Sequence, residues 1–198
     1  MKKLEPLEGL AVRQTKEWGE IFTGFETKNR YVVSDPEGRR LYLAAEERGN
    51  ALLRMWLKAA RPFELVVVDE QGQRVLTVER PFRFLFHEAT VRDADGRMLG
   101  RVVWRFAFLR RRYAVEDASG IARFELRGPF FKPWTFLIRE GDREVGRIAK
   151  RWGGFGKEAF TDADRFAVRF PRDWPAEHKA LFLGVVFFLD FRHFENTD

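Results

Sequence analysis

Apolar and polar residues alternate with a period of two along most of the chain between Arg30 and Phe170. Segments such as "RRLYLAAE", "RVLTVER", "RVVWRF", "TFLIRE" and "FAVRF" are rich in β-branched and aromatic residues, which favour strands whose side chains point alternately to two faces. The pattern predicts about eleven strands in this region. The chain is therefore expected to be mainly β.

Short turn motifs separate these strands. The segments "SDPEGRR", "VDEQGQR", "RDADGRM" and "EDASGIA" each place an acid three residues before a glycine, and "REGDREV" is a looser fifth copy. The acid accepts hydrogen bonds from nearby N–H groups and the glycine supplies positive φ, so these motifs predict hairpin turns. A meander this long has to remove its edges. We therefore predict a closed antiparallel β-barrel of about 11–12 strands over residues 30–171.

The longest apolar run lies near the C-terminus, in "KALFLGVVFFLDFRHFE", where Ala180 to Leu189 are apolar without a break. Pro175 suits a first helical position and Glu177 complements the helix dipole, so a helix is predicted over 175–194. A helix that is apolar on every face must be buried. The run spans roughly 15 Å, about half the hydrocarbon thickness of a bilayer, which favours the barrel interior over a membrane span.

Two further expectations concern the helices. Deletion of residues 176–194 should unfold the barrel, because the helix would be its core. A second helix is predicted over residues 10–22, in "LAVRQTKEWGEIF", packed on the outside of the barrel.

Composition narrows the function classes. The 198 residues are 45% hydrophobic with 21 Phe and 6 Trp, enough for one core, so residues 1–198 are predicted to form a single domain. The net charge of +6 favours anionic partners such as acidic lipid or nucleic acid, although an arginine-rich genomic bias explains it equally well. The chain has no cysteine, hence no disulfide, thiolate metal site or acylation point. No catalytic set of side chains can be assembled.

The chain resembles the phospholipid scramblases over nearly its whole length. The resemblance rests on "IFTGFETKNRY", "GRRLYLAAEE", "RPFELVVVDEQGQRVLTVERPFRF", "GRIAKRW", "EAFTDADRFAVRFP" and the C-terminal apolar segment. It implies a tubby-like fold, in which a twelve-stranded barrel surrounds a hydrophobic C-terminal helix. It also implies binding to acidic lipids and a calcium-stimulated, ATP-independent movement of phospholipids between leaflets, which is translocation and not bond chemistry.

The resemblance also implies a calcium segment over residues 162–173, "DADRFAVRFPRD". Asp162, Asp164 and Asp173 fall at EF-hand-like positions one, three and twelve, but Phe166 and Ala167 stand where such a loop has an oxygen ligand and a glycine. The alternation in "RFAVRF" favours a strand, which cannot curl around an ion. The residues therefore favour an acidic turn before a strand, with a weak, millimolar-type calcium site at Asp162 and Asp164 as the alternative.

The connections between the hairpins combine aromatic or aliphatic residues with Arg or Lys. In a meander these connections gather at the barrel end opposite the acidic turns. Inserted apolar side chains and cations that meet phosphates are typical of a membrane-interface surface. The alternative is that the aromatics fill the barrel and the cations are solvated. The candidate lipid-binding residues are Arg54, Trp56, Lys58, Arg110, Arg111, Arg112, Lys132 and Trp134.

Two functions from different classes follow. The first is a phospholipid scramblase-like protein, and the second is a soluble barrel module that binds lipid or protein without scrambling. The N-terminus has no apolar signal-peptide region, so we expect a cytoplasmic protein that is not secreted and is peripheral at the inner face of the plasma membrane. Nucleic acid is not favoured as a partner, because no RNP or helix-turn-helix signature is present. The oligomeric state stays open.

Overall fold

The computed structural model describes residues 1–15, 30–47, 62–81, 87–106, 111–129, 131–132, 134–150 and 165–193. A 3-10 turn over Lys2–Leu4 precedes the first strand, and an α-helix, α1, runs over Ala176–His193. The strands between them are β1 (Gly9–Gln14), β2 (Arg30–Ser34), β3 (Arg40–Glu46), β4 (Phe63–Val68), β5 (Arg74–Arg80), β6 (Glu88–Asp93), β7 (Met98–Arg105), β8 (Arg111–Asp117), β9 (Ala122–Gly128), β10 (Thr135–Glu140), β11 (Arg143–Lys150) and β12 (Arg165–Arg169).

These twelve strands form one closed antiparallel barrel in which each strand pairs with its neighbours in sequence. β1 closes the barrel, since Gly9–Arg13 pair with Arg165–Arg169 of β12 and Ala11–Gln14 pair with Tyr31–Ser34 of β2. Closure leaves no strand with an unpaired edge. The predicted closed β-barrel is therefore confirmed, and β2 to β12 are the eleven strands that the alternation indicated.

The prediction of an outer helix over residues 10–22 is wrong where the structure describes it. Gly9–Gln14 is strand β1, and its Leu10 and Val12 point into the core, each 2% exposed. So short an apolar segment fits a helix or a strand by its residues alone. Without β1, the facing edges of β2 and β12 would keep unpaired N–H and C=O groups, and tertiary pairing decides the conformation. Residues 16–22 lie outside the described residues.

The acid-x-x-Gly motifs form the predicted hairpin turns. In the turn at Asp93, the carboxylate Oδ1 accepts hydrogen bonds from the N–H groups of Asp95 at 3.1 Å and Arg97 at 2.9 Å, and the glycine has φ 80°. The same pair of bonds recurs at Asp69 and Asp117. The motifs join β2 to β3, β4 to β5, β6 to β7 and β8 to β9, so they lie at one end of the barrel, as predicted.

Helix α1 lies inside the barrel. Each apolar side chain of the run Ala180–Leu189 is at most 2% exposed, on every face of the helix. Its rings meet strands on different sides: the centroids of Phe187 and Tyr31 of β2 are 5.2 Å apart, and those of Phe182 and Phe124 of β9 are 5.3 Å apart. The prediction that the C-terminal apolar helix fills the barrel is confirmed.

The N-terminal segment covers the barrel end at which α1 begins. Leu4 and Leu7 are buried there and belong to the core. Lys179 of α1 is 0% exposed, and its Nζ donates hydrogen bonds to the carbonyl oxygens of Glu5 at 2.7 Å and Arg172 at 2.8 Å. Burial lowers the pKa of Lys179. This ammonium group ties the N-terminal segment and the β12–α1 connection to the central helix.

Candidate functional site

The two ends of the barrel differ in what they contain. The end with the hairpin turns after β2, β4, β6, β8 and β10 also holds the start of α1, and is called the turn end below. The opposite end, the loop end, is where β1, β3, β5, β7, β9 and β11 finish and where α1 ends at His193. The sequence predicted a membrane-facing surface at the loop end.

Exposed apolar side chains gather at the loop end. Among the residues that the structure describes, the large hydrophobic side chains that are exposed are Phe106 (79%), Ile121 (55%), Phe131 (90%) and Trp134 (39%). Phe106 follows β7, and Phe131 and Trp134 lie between β9 and β10, whereas Ile121 lies at the turn end. Three of the four thus lie at the same end of four neighbouring strands, β7 to β10.

Cations stand among these aromatic side chains. Lys132 is exposed and lies between Phe131 and Trp134 in sequence. The guanidinium of Arg111 is 4.7 Å from the ring centroid of Phe136, and its Nη2 donates to the carbonyl oxygen of Lys132 at 3.4 Å. Burial lowers the pKa of Arg111. The side chain of Arg112 pairs with Glu125 on the barrel wall. The loop-end patch is defined here by Phe106, Arg111, Arg112, Phe131, Lys132 and Trp134.

The structure brings part of the predicted lipid-binding set together. Arg111, Arg112, Lys132 and Trp134 lie at the same end of β8, β9 and β10. Arg54, Trp56, Lys58 and Arg110 lie outside the described residues. Sequence reasoning did not select Phe106 and Phe131, the two most exposed large apolar side chains of the described part. The signal for Phe131 was its position between Pro129 and Pro133, where a continuing strand is disfavoured.

Arginines on the barrel wall are mostly held by carboxylates. Glu116 is buried and accepts from Arg101 at 2.5 Å and from Arg105 at 3.1 Å. At the turn end, Asp35 pairs with Arg39 at 2.6 Å. In each of these pairs the carboxylate is buried and the arginine is partly or largely exposed, so the arginine satisfies a carboxylate that would be costly to bury alone. They also neutralise the wall locally, so that the high arginine content alone does not make the whole surface a basic one.

A second set of polar and aromatic residues lies at the loop end, around the last turn of α1. The Arg192 guanidinium, in the last turn of α1, lies 5.0 Å from the ring centroid of Trp104. The rings of His87 and Phe106 lie 6.1 Å and 6.2 Å from the same Trp104 ring. Arg192 also acts on the buried Tyr113, because its positive charge opposes the rise in the pKa of this hydroxyl that burial causes. The helix-end cluster is defined here by His87, Trp104, Tyr113 and Arg192.

The pKa of His87 in the helix-end cluster is far below the usual value for a histidine. Burial, together with the positive charges of Arg192 and Arg80, lowers the pKa of His87 to about 4. His87 is therefore neutral at pH 7 and has one N–H to donate. The Nε atom of Arg192 is buried and makes no hydrogen bond in the part of the chain that the structure describes. His87, Trp104 and Arg192 are each partly exposed, so solvent reaches the cluster.

The predicted calcium segment contains strand β12. Arg165–Arg169 pair with β1 on one side and with β11 on the other, and Phe166 is buried in the core, which confirms the strand indicated by "RFAVRF". The strand extends over roughly 13 Å from Arg165 to Arg169, so this part of the segment does not have the curled conformation of an EF-hand loop, and Asp173 lies beyond it at the turn end. Asp162 and Asp164 lie outside the described residues. Among the described residues, no cluster of three or more potential metal ligands is found.

Within the described residues, no helix has both the length and the apolar character that crossing a membrane requires. A closed antiparallel barrel around an apolar helix, with cationic and aromatic side chains exposed at one end, defines the class of single-barrel proteins to which the described structure belongs. The comparisons with known proteins identify the family within that class. The model of the family described as Scramblase matches residues 1–196, and the chain belongs to the scramblase family.

Mammalian relatives agree with this assignment. The chain is 32% identical over 211 residues to rat phospholipid scramblase 1, covering all of this chain and 63% of the rat protein. It is 33% identical to mouse phospholipid scramblase 1, covering 64% of that protein, and 31% identical to human phospholipid scramblase 2, covering 71%. The chain thus spans slightly less than two thirds of the length of the rat and mouse relatives. No solved structure matches the chain, so the kinship with tubby-like folds stays a prediction.

Proposed function

We propose that this protein binds acidic phospholipid at a membrane surface through the loop-end patch and moves phospholipids between the two leaflets. The movement is expected to need no ATP and to be stimulated by calcium, and its place is the inner face of the plasma membrane. Membership of the scramblase family and the names of the relatives support the activity. The observation that carries the membrane role is the exposure of Phe106 and Phe131 beside Lys132 and Arg111.

The patch has the strength of a reversible membrane contact. Burying an exposed Phe side chain in the interface contributes about 2 kcal/mol, and two are available in Phe106 and Phe131. A cation near an anionic surface contributes about 1 kcal/mol, and Lys132 and Arg111 supply two. The gross sum of about 6 kcal/mol corresponds to a ~10⁴-fold preference for the membrane, and the cationic part of it weakens with salt.

We assign the calcium role to Asp162 and Asp164, which precede β12 in sequence, because Asp173 follows this strand. Isothermal titration with millimolar calcium should give heat in the wild type and none after Asp162→Asn and Asp164→Asn. Heat of the same size in this variant would show that calcium binds at other residues. No heat in the wild type would show that calcium has no part in the function.

The membrane proposal is tested by flotation with phosphatidylcholine vesicles and with vesicles containing phosphatidylserine. The wild type is expected to float with the acidic vesicles alone. Phe131→Ser with Lys132→Glu should lower vesicle affinity at least about tenfold, because one apolar anchor is lost and one charge is reversed. Both residues are exposed, so the barrel should melt as before.

A matched control lies at the turn end. Ile121→Ser with Arg40→Glu removes an exposed apolar side chain and reverses an exposed cation far from the patch, and should leave flotation unchanged. If both variants lost vesicle affinity equally, binding would depend on the net charge of the protein, and the loop-end patch would not be the binding surface. Arg111 and Arg112 are less suitable targets, since they contact Phe136 and Glu125.

Translocation is tested separately, with wild-type protein added to vesicles that carry a fluorescent phospholipid in both leaflets. Chemical quenching of the outer leaflet should remove about half of the signal without movement and nearly all of it with movement. The alternative function, a barrel that binds lipid or protein without scrambling, is favoured by the enclosure of α1 on every face. Flotation with only half of the signal quenched would select this alternative.

A further inference from the structure

The last turn of α1 brings an arginine, a histidine and a tryptophan from distant parts of the chain to the rim of the barrel. We propose that the helix-end cluster binds the phosphodiester group of a single acidic phospholipid, with Arg192 and His87 as the polar contacts and Trp104 and Phe106 against the apolar part of the lipid. This inference rests on the proposed function, because it names where at the loop end one lipid molecule is held.

The donors of Arg192 fit a phosphate oxygen. A guanidinium has five N–H donors in a planar fork that matches phosphate. The contact with the Trp104 ring, at 5.0 Å from its centroid, positions this guanidinium. Nε is buried without a hydrogen bond in the described part of the chain, and an unsatisfied buried donor is costly. The side chain as a whole is partly exposed, so a phosphate oxygen that approaches from solvent would meet the other N–H donors of the guanidinium.

The charge around His87 also suits an anion. Arg192 and Arg80 both disfavour protonation of His87. A phosphodiester placed between His87 and Arg192 carries one negative charge, offsets the field of these cations and accepts the imidazole N–H. Asp190, near the same helix end, is engaged by Tyr31, whose hydroxyl donates to its Oδ2 at 2.6 Å. That carboxylate is thus already hydrogen-bonded on another side of the helix.

The cluster is continuous with the membrane-facing patch. The Trp104 ring contacts both Arg192 and Phe106, and Phe106 is 79% exposed. A lipid whose glycerol and acyl chains lie against Phe106 would therefore bring its phosphate to Arg192. Free phosphate or a water-soluble phosphate ester would gain the polar contacts alone. This difference is why the inference commits to a phospholipid.

The alternative is that Arg192 is purely structural, since a cation in the last turn stabilises a helix end and stacking on Trp104 packs it. A structural role predicts no ligand effect on His87. An anion bound between the two residues predicts a raised pKa of His87, because the charged imidazolium would gain a partner.

The test is proton NMR of the imidazole C2 protons in the wild type, which has three histidines, with His87→Gln to assign the signal. Dihexanoyl phosphatidylserine below its micelle concentration is the probe. The pKa of His87 should rise by about one pH unit or more, while that of His178, at the turn end, stays constant. Inorganic phosphate and glycerophosphoserine should produce the same rise only at concentrations at least about tenfold higher.

Variants at Arg192 add a second readout. Arg192→Gln should weaken dihexanoyl phosphatidylserine binding at least about tenfold, and Arg192→Lys, which keeps the charge without the fork, should restore part of it. Thermal melts check that both variants fold, and the wild-type titration stands without them. Equal binding by Arg192→Gln, or an unmoved His87 signal, would overturn the inference. Equal effects of inorganic phosphate and lipid would also overturn it, in favour of a site for soluble phosphates.

The two proposals fail in different ways. A wild type that floats with acidic vesicles but shows no change at His87 refutes the helix-end site and leaves the membrane role in place. A wild type that does not float refutes the proposed function, whatever the short-chain lipid does.

Discussion

Gly184 provides the most direct structural test of the enclosed helix. It lies in the middle of α1, and a Cβ built on it would come within 3.0 Å of Cγ2 of Val91 on β6 and to 3.3 Å from Cγ2 of Val78 on β5. Glycine is therefore required by close approach to the barrel wall. Val91 cannot move aside easily, because a β-branched side chain is stiff about its first torsion and its neighbours are close-packed.

The sign of the effect of Gly184→Ala separates an enclosed helix from an exposed one. In an exposed helix the change stabilises by about 1 kcal/mol through helix propensity. Inside the barrel, overpacking costs about 1–3 kcal/mol, so that the net change is a destabilisation of about 1 kcal/mol and a Tm lower by roughly 2–4 °C. The assay is thermal and urea unfolding followed by circular dichroism.

A double-mutant cycle tests whether Val91 is the side chain that Gly184 packs against. Val91→Ala alone should destabilise by roughly 2 kcal/mol, since it leaves a cavity beside the helix. Because the new methyl of Gly184→Ala would occupy that cavity, the double variant should be at least about 1 kcal/mol more stable than the sum of the single effects predicts. Additive effects, or a raised Tm in Gly184→Ala, would refute the packing of α1 against β6.

Two further predictions concern the two ends of the barrel. Lys179→Met should lower the free energy of unfolding by about 2 kcal/mol, because it leaves the carbonyl oxygens of Glu5 and Arg172 without their shared donor. Amide hydrogen exchange at residues 4–7 should also become faster, and unchanged exchange would contradict the role of Lys179 in holding this segment. At the loop end, His87 has a folded pKa of about 4 against 6.5 unfolded, so the unfolded chain binds more protons between these values and stability falls as the pH drops from 6.5 to 4. His87→Gln should flatten this part of the Tm-versus-pH curve, and an identical curve would argue against a partly buried His87 with a lowered pKa.

Local sequence signals predicted most of the fold. Alternation gave the strands because each has one face in the core, and the acid-x-x-Gly motifs gave the turns because their hydrogen bonds are local, as at Asp93. The run Ala180–Leu189 predicted an enclosed helix because no face of it tolerates water. β1 was missed because its conformation is decided by the edges of β2 and β12, which are far away in sequence.

The candidate site was only partly predictable. Lys132 and Trp134 were found because cations beside aromatic residues in a connection are a compositional signal. The exposure of Phe106 was not predictable, because in a chain with 21 Phe nothing local separates a core ring from an exposed one. The prolines that flank Phe131 disfavour a strand, but they do not show whether its ring is exposed. The helix-end cluster joins Trp104 to Arg192 across the closed barrel, and such a contact arises only once the strands and α1 are assembled.

The central claim is that the loop end, and not the turn end, meets the membrane. The chain has no cysteine, so a single cysteine at position 131 or at position 121 can carry an environment-sensitive fluorophore. With phosphatidylserine vesicles, the probe at 131 should shift to the blue and become accessible to quenchers in the lipid, while the probe at 121 should stay in water. A shift at 121, or none at 131 while the labelled protein floats with the vesicles, would contradict the account.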